Sequence, residues 1–341
     1  MNKIKLVTFT VPCYNSAEYM SRCIDSILVG GDDIEIIIVD DGSTKDNTFE
    51  VAKEYEKKFP SICRAIHQVN GGHGEAVNTG LKYAKGRYFR VVDSDDWLDK
   101  KCVIDYIETI KRLVHEDKRI DLFVTNFVYD KVDKTHKAVM RYQNIPKYRP
   151  VTWRGIEPFV IGHYMLMHSL TYSTSLLRNA NFHLPAHTFY VDNIYAYYPM
   201  QFVETIYYMD INLYHYFIGR SDQSVNEQVM IGRLEQQYRV TNIMLNDVDV
   251  MNVSSKNLKD YLISYLSIIM TVTSVLSIMS KDHKWENEKN NLWKGLKEKN
   301  RPLYNKLKHT ILGQGVNIPG EIGKKLTITG YKIAQKLYGF N

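Results

Sequence analysis

The fold of this chain is indicated most directly by the seven residues VVDSDDW, Val91–Trp97. Two apolar β-branched residues, typical of a buried strand, stand directly before three carboxylates within four positions. Carboxylates this close repel one another unless a cation or hydrogen-bond donors offset their charge. Asp93 and Asp95 are two residues apart, so a short turn can direct both at one point. The pattern predicts either a site for Mg²⁺ or Mn²⁺, which prefer oxygen ligands, or an acidic turn before a helix that begins near Asp99.

A second acidic strand end lies earlier in the chain. The β-branched run Ile34–Val39 is followed by Asp40 and Asp41, and an earlier apolar run, Lys5–Val11, is followed by Pro12–Asn15. Continuous apolar runs closed by turn residues are typical of parallel strands buried on both faces. Helical patterns separate the strands, which predicts an open α/β sheet. Ligands of such sheets bind beyond the carboxyl ends of the strands, and these acids lie there.

Four motifs along the first 100 residues resemble those of one enzyme family. They are VPCYN (Val11–Asn15), VDDGST (Val39–Thr44), NGGHG (Asn70–Gly74) and DSDDW (Asp93–Trp97). In this order, each at a strand end, they resemble the family-two glycosyltransferases, and the later GRSDQSV (Gly219–Val225) resembles a segment of bacterial members. The resemblance implies a GT-A fold, a Rossmann-like open mixed sheet that is mostly parallel. It also implies transfer of a sugar from a nucleotide diphosphate to an acceptor hydroxyl.

The resemblance further implies which residues hold the metal and the donor. Asp95 is expected as the direct ligand of Mn²⁺ or Mg²⁺, while Asp93 contacts the donor and orients the ion. Either Asp40 or Asp41 accepts the N3–H of uracil, which makes a UDP-sugar the expected donor, and the other supports the loop or the ribose. The residues expected to bind the nucleotide sugar are Pro12, Tyr14, Asn15, Glu18, Asp40, Asp41, Gly72, Gly74, Asn78, Asp93, Ser94, Arg220 and Gln223.

Several of these residues have a structural alternative. Tyr14 offers a face on which a base can stack, or it packs in the core; Glu18 reaches the nucleotide, or it is an acid favoured at a helix start. The glycines of Asn70–Gly74 allow close approach of backbone to a ligand, with Asn78 one helical turn later, or they form only a loop. Arg220 grips phosphate oxygens, or it is a surface residue.

An inverting transfer also needs a base on the side opposite the leaving group. Asp192 is the expected base, because it stands in a strongly apolar, aromatic segment at the place where the family carries its base. The alternative is that Asp192 caps the helical run that follows it; Glu204 and Asp210 are weaker candidates for the base. His215 alternates within a strand and is interpreted as structural.

The other histidines give weaker signals. His73 lies in the glycine loop, where it either contacts the donor sugar or is structural. No pair with metal-ligand spacing occurs among the other histidines of the acceptor half, His163, His168, His183 and His187.

Length and charge suggest two parts. A chain of 341 residues exceeds a usual single domain. We expect a catalytic domain over residues 1–225, with a nucleotide-sugar half (1–98) and an acceptor half (99–225). A helical module over 226–341 follows, and the apolar run Leu262–Met279 is interpreted as its buried helix rather than a membrane span.

The basic charge is concentrated at the end of the chain. The last 61 residues hold 13 Lys and Arg against 5 Asp and Glu, whereas the first 280 hold 31 against 33. A segment that mixes lysine with apolar residues can lie on an anionic membrane, or it can form a dimer contact or a solvated helix. Nothing in the pattern indicates nucleic-acid binding. The chain leads directly into a core strand, so we expect no secretory signal and a cytoplasmic location, at the inner membrane face if the tail binds lipid.

The sequence therefore predicts an inverting, metal-dependent hexosyl- or N-acetylhexosaminyl-transferase. The expected acceptor is a growing glycan, a cell-wall polymer or a lipid-linked sugar. A nucleotidyltransferase is the first alternative, although Pro12–Asn15 stands where such an enzyme carries a basic glycine loop. An inert sugar-binding or scaffold protein on the same fold is the second.

Overall fold

The computed structural model describes residues 4–131, 137–218 and 226–338, the last five by their backbone alone. The chain divides into two compact units. The first comprises the described parts of 1–157 and 165–218, and the second comprises 158–164 with the described parts of 219–341. The expected boundary at residue 225 lies outside the described residues, and the structure groups 158–164 with the second unit.

Within the described residues of the first unit, ten strands form one mixed sheet. The spatial order is β3-β2-β1-β4-β9-β6-β10-β5, with β7 beside β6 and β8 beside β10. The longer ladders are parallel, for example β1 with β2 and β6 with β10, and the antiparallel ladders are short. The strands are β1 (Val7–Cys13), β2 (Ile34–Asp40), β3 (Cys63–His67), β4 (Tyr88–Val91), β5 (Trp97–Leu98), β6 (Leu122–Lys131), β7 (Ala138–Met140), β8 (Pro150–Thr152), β9 (Leu170–Ser173) and β10 (Thr205–Ile218).

Helices cover the sheet through apolar faces. The first helix buries Met20, Cys23, Ile24 and Ile27, whose spacing of three and four residues places them on one side. Burial of each large apolar side chain contributes about 1.5–3 kcal/mol to the free energy of unfolding. The helices of this unit are α1 (Met20–Ile27), α2 (Thr48–Lys58), α3 (His73–Tyr83), α4 (Lys100–His115), α5 (Thr174–Asn179) and α6 (Asp192–Tyr197).

The first strand differs from expectation. Pro12 was expected to end β1 because it has no N–H to donate, but β1 continues to Cys13, with Pro12 buried and in register with Val39. The carboxyl ends of β2, β1 and β4 lie side by side, because these strands are parallel neighbours. The acidic segments at Asp40 and Asp93 therefore belong to one edge of the sheet.

The second unit is helical in its described residues. Its central helix α9 (Lys256–Met279) is long and apolar enough to cross a membrane, yet 72% of its most apolar window is buried. This burial agrees with the interpretation as a core helix. Ser255 begins the helix by accepting a hydrogen bond from the Leu258 amide. The other helices are α7 (Glu227–Gly232), α8 (Leu234–Asn246), α10 (His283–Lys299), α11 (Arg301–Lys308), α12 (Ile311–Val316) and α13 (Gly320–Tyr338).

Candidate functional site

Hydrogen bonds join the loops at the three neighbouring strand ends. The hydroxyl of Ser16, after β1, lies 3.0 Å from that of Ser94, after β4. The Asn15 amide donates to the Ser43 hydroxyl over 2.8 Å. Ser94 is buried and joins the two loops; its predicted contact with the donor stays a prediction.

Asp41 organises the glycine loop. Its Oδ1 accepts hydrogen bonds from Gln68 Nε2 (2.7 Å) and the Gly71 amide (2.8 Å). Its Oδ2 accepts from Asn70 Nδ2 (3.1 Å) and the Gly72 amide (2.7 Å). An ionised carboxylate has about four acceptor sites, so this set occupies Asp41 fully. Of the two roles left open by the sequence, support of the loop is the one that this geometry favours.

Asp40 and Asn15 are also engaged by the protein. Asp40 accepts from the Ser43 amide at 3.2 Å, and its other oxygen lies 2.6 Å from His67 Nδ1. The side-chain oxygen of Asn15 accepts from the amides of Thr44 and Lys45, both at 3.1 Å. Asn15 thus shapes the turn after β2. Donor binding by Asn15 and contact of Asp40 or Asp41 with the base stay predictions.

The glycines of the loop approach backbone of the same chain closely. Gly72 has φ of +85°, and a Cβ there would lie 3.2 Å from the His187 amide nitrogen. A Cβ at Gly74 would lie 3.0 Å from Leu184 Cβ. Asn78 clamps the same segment, since it donates to the Leu184 carbonyl (2.8 Å) and accepts from its amide (2.9 Å). These residues hold the segment that leads to Asp192, and their predicted contact with the donor stays a prediction.

Asp93 is paired with an imidazole. Its Oδ1 lies 2.8 Å from Nε2 of His73, and its amide donates to the Tyr214 hydroxyl over 3.2 Å. Burial alone would raise the pKa of Asp93, but the nearby His73 lowers it below its usual value. Burial likewise acts to lower the pKa of His73, and Asp93, followed by Asp192 and Asp95, raises it. His73 is therefore the cation of this pair.

Asp96 is buried and bonds the strand β10. Its Oδ2 accepts from the Tyr214 hydroxyl at 2.5 Å and its Oδ1 from the Phe217 amide at 2.8 Å. Burial, followed by the charges of Asp95 and Asp93, raises the pKa of Asp96 well above its usual value. The neutral form of Asp96 is therefore favoured unless a cation offsets the charge of this cluster.

The structure adds a residue that sequence reasoning did not select. His168, in the short helical turn Met167–Ser169, places Nε2 at 4.0 Å from Asp93 Oδ2. Burial lowers the pKa of His168 to about 4, so its imidazole is neutral. Its Nδ1 is buried without a hydrogen-bond partner among the described residues. Asp93 lies 75 positions earlier, so no local spacing could reveal the pair.

These groups fit a divalent cation by the chemistry of their donors. One ligand atom each from Asp93, Asp96 and His168 lies within 4.8 Å of the others. Carboxylate oxygens with a neutral imidazole suit Mn²⁺, and carboxylates alone suit Mg²⁺. Asp95, the predicted direct ligand, is half-buried beside this group and raises the pKa of Asp96 by its charge. Its role as a ligand stays a prediction.

Arg90 is a buried residue that supports the backbone of His168. Its side chain is wholly buried, donates to Thr171 Oγ1 at 2.9 Å and also bonds the His168 carbonyl. A charged group is buried only when it is well bonded, so Arg90 fixes the backbone that carries His168.

Asp192 approaches the same cluster from α6. It is the first residue of that helix, with Val191 at the capping position. Backbone amides of Asp192 and Asn193 hydrogen-bond its carboxylate, so the capping role at the helix start and the role of base both stay predictions. Burial raises its pKa to about 6, with His73 opposing and Asp93 adding to the rise. A carboxylate with a pKa near neutrality is suited to accept a proton.

The remaining predicted positions fall into three groups. The side chain of Tyr14 is exposed, which leaves its ring accessible, and Glu18 is exposed before α1. Arg220 and Gln223 lie outside the described residues. His215 bonds Asp130 at 3.0 Å, as expected of a structural histidine.

The fold and this arrangement at the strand ends define the class as a GT-A glycosyltransferase fold. The chain carries a family-two glycosyltransferase domain, since residues 8–170 match the family described as "Glycosyl transferase family 2". The predicted family and fold class are confirmed.

Curated relatives match over parts of the chain. An uncharacterized glycosyltransferase, EpsJ of Bacillus subtilis, is 48% identical over 96 residues, which are 28% of this chain and 27% of that protein. Glycosyltransferase GlyG of Streptococcus pneumoniae is 39% identical over 132 residues, 38% of this chain and 42% of that protein. The chain therefore covers less than half the length of each of these relatives.

Solved structures match over almost the whole chain at low identity. TarS of S. aureus in complex with UDP-GlcNAc has a TM-score of 0.55 and 16% identity, covering 96% of this chain and 92% of that one. A mannosyltransferase of Pyrobaculum calidifontis, in complex with GDP-Man and Mn²⁺, has a TM-score of 0.52 and 13% identity, covering 97% and 86%. At these identities the likeness establishes the fold.

Proposed function

We propose that this chain transfers a hexosyl or N-acetylhexosaminyl group, with inversion, from a nucleotide-diphosphate sugar to a hydroxyl of a glycan, cell-wall polymer or lipid-linked saccharide. The observation that carries the proposal is the convergence of Asp192 and the acid cluster. Four segments distant in sequence, around residues 73, 93, 168 and 192, supply interacting groups.

Asp192 acts as the general base. Its carboxylate takes the proton from the acceptor hydroxyl as that oxygen attacks the sugar carbon, and the bond to the diphosphate breaks on the opposite side. Because burial raises its pKa to about 6, the group is ionised at neutral pH yet basic enough to hold a proton. Base catalysis of this kind contributes about 10²–10⁴-fold in rate.

Asp93, Asp95 and His168 are the groups proposed to hold Mn²⁺ or Mg²⁺, with Asp96 behind them. When bound, the ion offsets the charge that develops on the leaving diphosphate. Asp93 is held by His73 at 2.8 Å, so its remaining oxygen is oriented. The fixed turn between Asp93 and Asp96, closed by a 3.0 Å backbone bond, keeps Asp95 in place.

A UDP-sugar is the proposed donor class. The exposed ring of Tyr14 provides a stacking face for the base, worth about 1–3 kcal/mol. The aspartates after β2 remain the candidates for the base and ribose, as the sequence predicted. TarS was solved with UDP-GlcNAc, and the mannosyltransferase with GDP-Man, so the test includes both nucleotides.

The test is release of nucleotide diphosphate from a panel of UDP- and GDP-sugars with Mn²⁺, comparing the wild-type chain with Asp95→Asn. We expect slow metal-dependent release from one UDP-sugar, reduced about 10²–10³-fold in Asp95→Asn if the ion supplies several kcal/mol. Asp105→Asn is the matched control, since Asp105 is an exposed acid on α4 and should leave the rate unchanged.

Equal release by wild type and Asp95→Asn would refute the assigned metal site. No release from any donor, with or without a saccharide acceptor, and no stabilisation by UDP and Mn²⁺ would favour the inert scaffold. The family match argues against the nucleotidyltransferase alternative.

A further inference from the structure

The last helix of the chain presents an apolar stripe to solvent. Ile322, Leu326 and Ile333 of α13 are 76%, 56% and 55% exposed. With 3.6 residues per turn, these three side chains fall within about 40° of one another around the helix axis. They span about 16 Å of helix, with the exposed Thr329 between Leu326 and Ile333 on the same side. We call this set the α13 stripe.

The opposite face of α13 is already used for packing. Thr327 is buried and donates to the Gly315 carbonyl at 2.9 Å. A Cβ on Gly323 would lie 2.2 Å from the Ile318 carbonyl oxygen, so only glycine permits this approach. Lys324 bonds both carboxylate oxygens of Glu286 on α10. The helix is therefore fixed by one face, and the α13 stripe is not part of the core of its unit.

Lysines accompany the stripe. Lys325 and Lys332 are exposed and lie about 80–100° to one side of the centre of the stripe on the helix. The last 61 residues hold 13 basic against 5 acidic residues, whereas the rest of the chain is slightly acidic. Lysine can place its aliphatic part along an apolar surface and its ammonium group in a layer of phosphates.

We propose that α13 docks the protein on an anionic bilayer surface, with the α13 stripe among the acyl chains and its lysines at the lipid phosphates. A large apolar face bordered by basic residues is the pattern of helices that lie in the membrane interface. Charge favours this occupant over a second copy of the chain, because pairing two such stripes would bring lysines of the same sign together. The exposed Ile311 and Ile318, in the segments just before α13, extend the apolar character of this region.

The test is co-sedimentation of the full chain with vesicles. One set is phosphatidylcholine alone, and the other contains about one third phosphatidylglycerol, which supplies the negative surface potential. We expect binding to the second set only, weakened by salt. Leu326→Ser with Ile333→Ser should reduce partitioning at least about tenfold, and Lys325→Gln with Lys332→Gln about tenfold.

Ile104→Ser is the matched control, since Ile104 is 49% exposed on α4 in the other unit and should leave vesicle binding unchanged. Thermal melting checks that all variants fold. We expect that they do, because the substituted side chains are exposed.

Two outcomes would overturn the proposal. One is equal vesicle binding by wild type and both double variants. The other is a wild-type dimer in lipid-free buffer that Leu326→Ser with Ile333→Ser converts to monomer, which would identify a second copy as the occupant. Vesicle binding is measured without turnover, so a chain that binds lipid but releases no nucleotide would refute the proposed function alone.

Discussion

Asp40 and Asp93 are carboxylates at the ends of the parallel strands β2 and β4, which lie on either side of β1, but their surroundings differ. The side chain of Asp40 has no exposed surface and that of Asp93 is 24% exposed. Asp41, next to Asp40, is surrounded by four hydrogen-bond donors from the glycine loop. Asp93 instead has a charged imidazole on one oxygen and a neutral imidazole 4.0 Å from the other.

The difference teaches that the acids at the end of β2 support the loops around the site, whereas those at the end of β4 are available to a ligand. At the end of β2, donors satisfy the carboxylates, so the acids stabilise loops. At the end of β4, burial, followed by the charges of the neighbouring Asp95 and Asp93, raises the pKa of Asp96, so a cation bound there would offset charge that the protein itself does not. Substitutions at the β4 end should therefore lower activity with little change in stability, whereas substitutions at the β2 end should lower stability.

The largest effect is expected at Asp192, which faces the β4 end. Asp192→Asn should lower kcat about 10²–10⁴-fold and leave the melting temperature within about a degree or raise it, because burial disfavours the charged form that is removed. In the wild type, kcat/KM should fall as pH decreases through about 6, because the base becomes protonated. A marked loss of stability in Asp192→Asn would mean that the helix, not the chemistry, needs this carboxylate.

A substitution at the β2 end should lower the stability of the protein. Asp41→Asn replaces one acceptor oxygen with an NH₂ group that faces N–H donors, so we expect the free energy of unfolding to fall by about 2–4 kcal/mol. Denaturant titration measures this, with Asp95→Asn as the contrasting variant, expected to change stability by less than about 1 kcal/mol. Similar stability losses in both variants would remove the distinction between the two ends.

A variant of His168 tests whether the metal site at the β4 end includes an imidazole. His168→Gln keeps a polar side chain of similar size but removes the imidazole, so the Mn²⁺ concentration for half-maximal rate should rise about 10–100-fold. The measurement is a metal titration of nucleotide release, with His215→Gln, a histidine bonded to Asp130, as the control. An unchanged titration in His168→Gln would restrict the metal site to carboxylates.

The smallest effect is expected at Asp99, an acid near the same strand end with only a structural task. It accepts from the Cys102 amide at 2.9 Å at the start of α4, and Asp99→Ala should cost about 1 kcal/mol of unfolding free energy. Burial acts to raise its pKa, but the Cys102 bonds lower it overall. The stabilisation is therefore present above the unfolded pKa and lost as pH falls through the lower folded pKa, which acid denaturation of wild type against Asp99→Ala would show.

The sequence by itself determined the class of fold and the place of the site. Apolar runs ending in Asp40 and Asp93 specify buried strands, since the period of such runs is a local property of the chain. For the same reason the core helix α9 could be recognised from composition. Asp192 could be selected because a carboxylate in an apolar segment is costly without a task.

Only the tertiary structure decided which residues build the site and which can meet a ligand. Asn15, Asn78 and Ser94 bond partners that lie 28 to 106 positions away and so hold loops together, which the sequence did not indicate; their contact with the donor stays a prediction. His168 joins Asp93 across a comparable distance. A hydrogen bond depends on atoms within about 3 Å, and the folding of the sheet, not the spacing of residues, brings such atoms together.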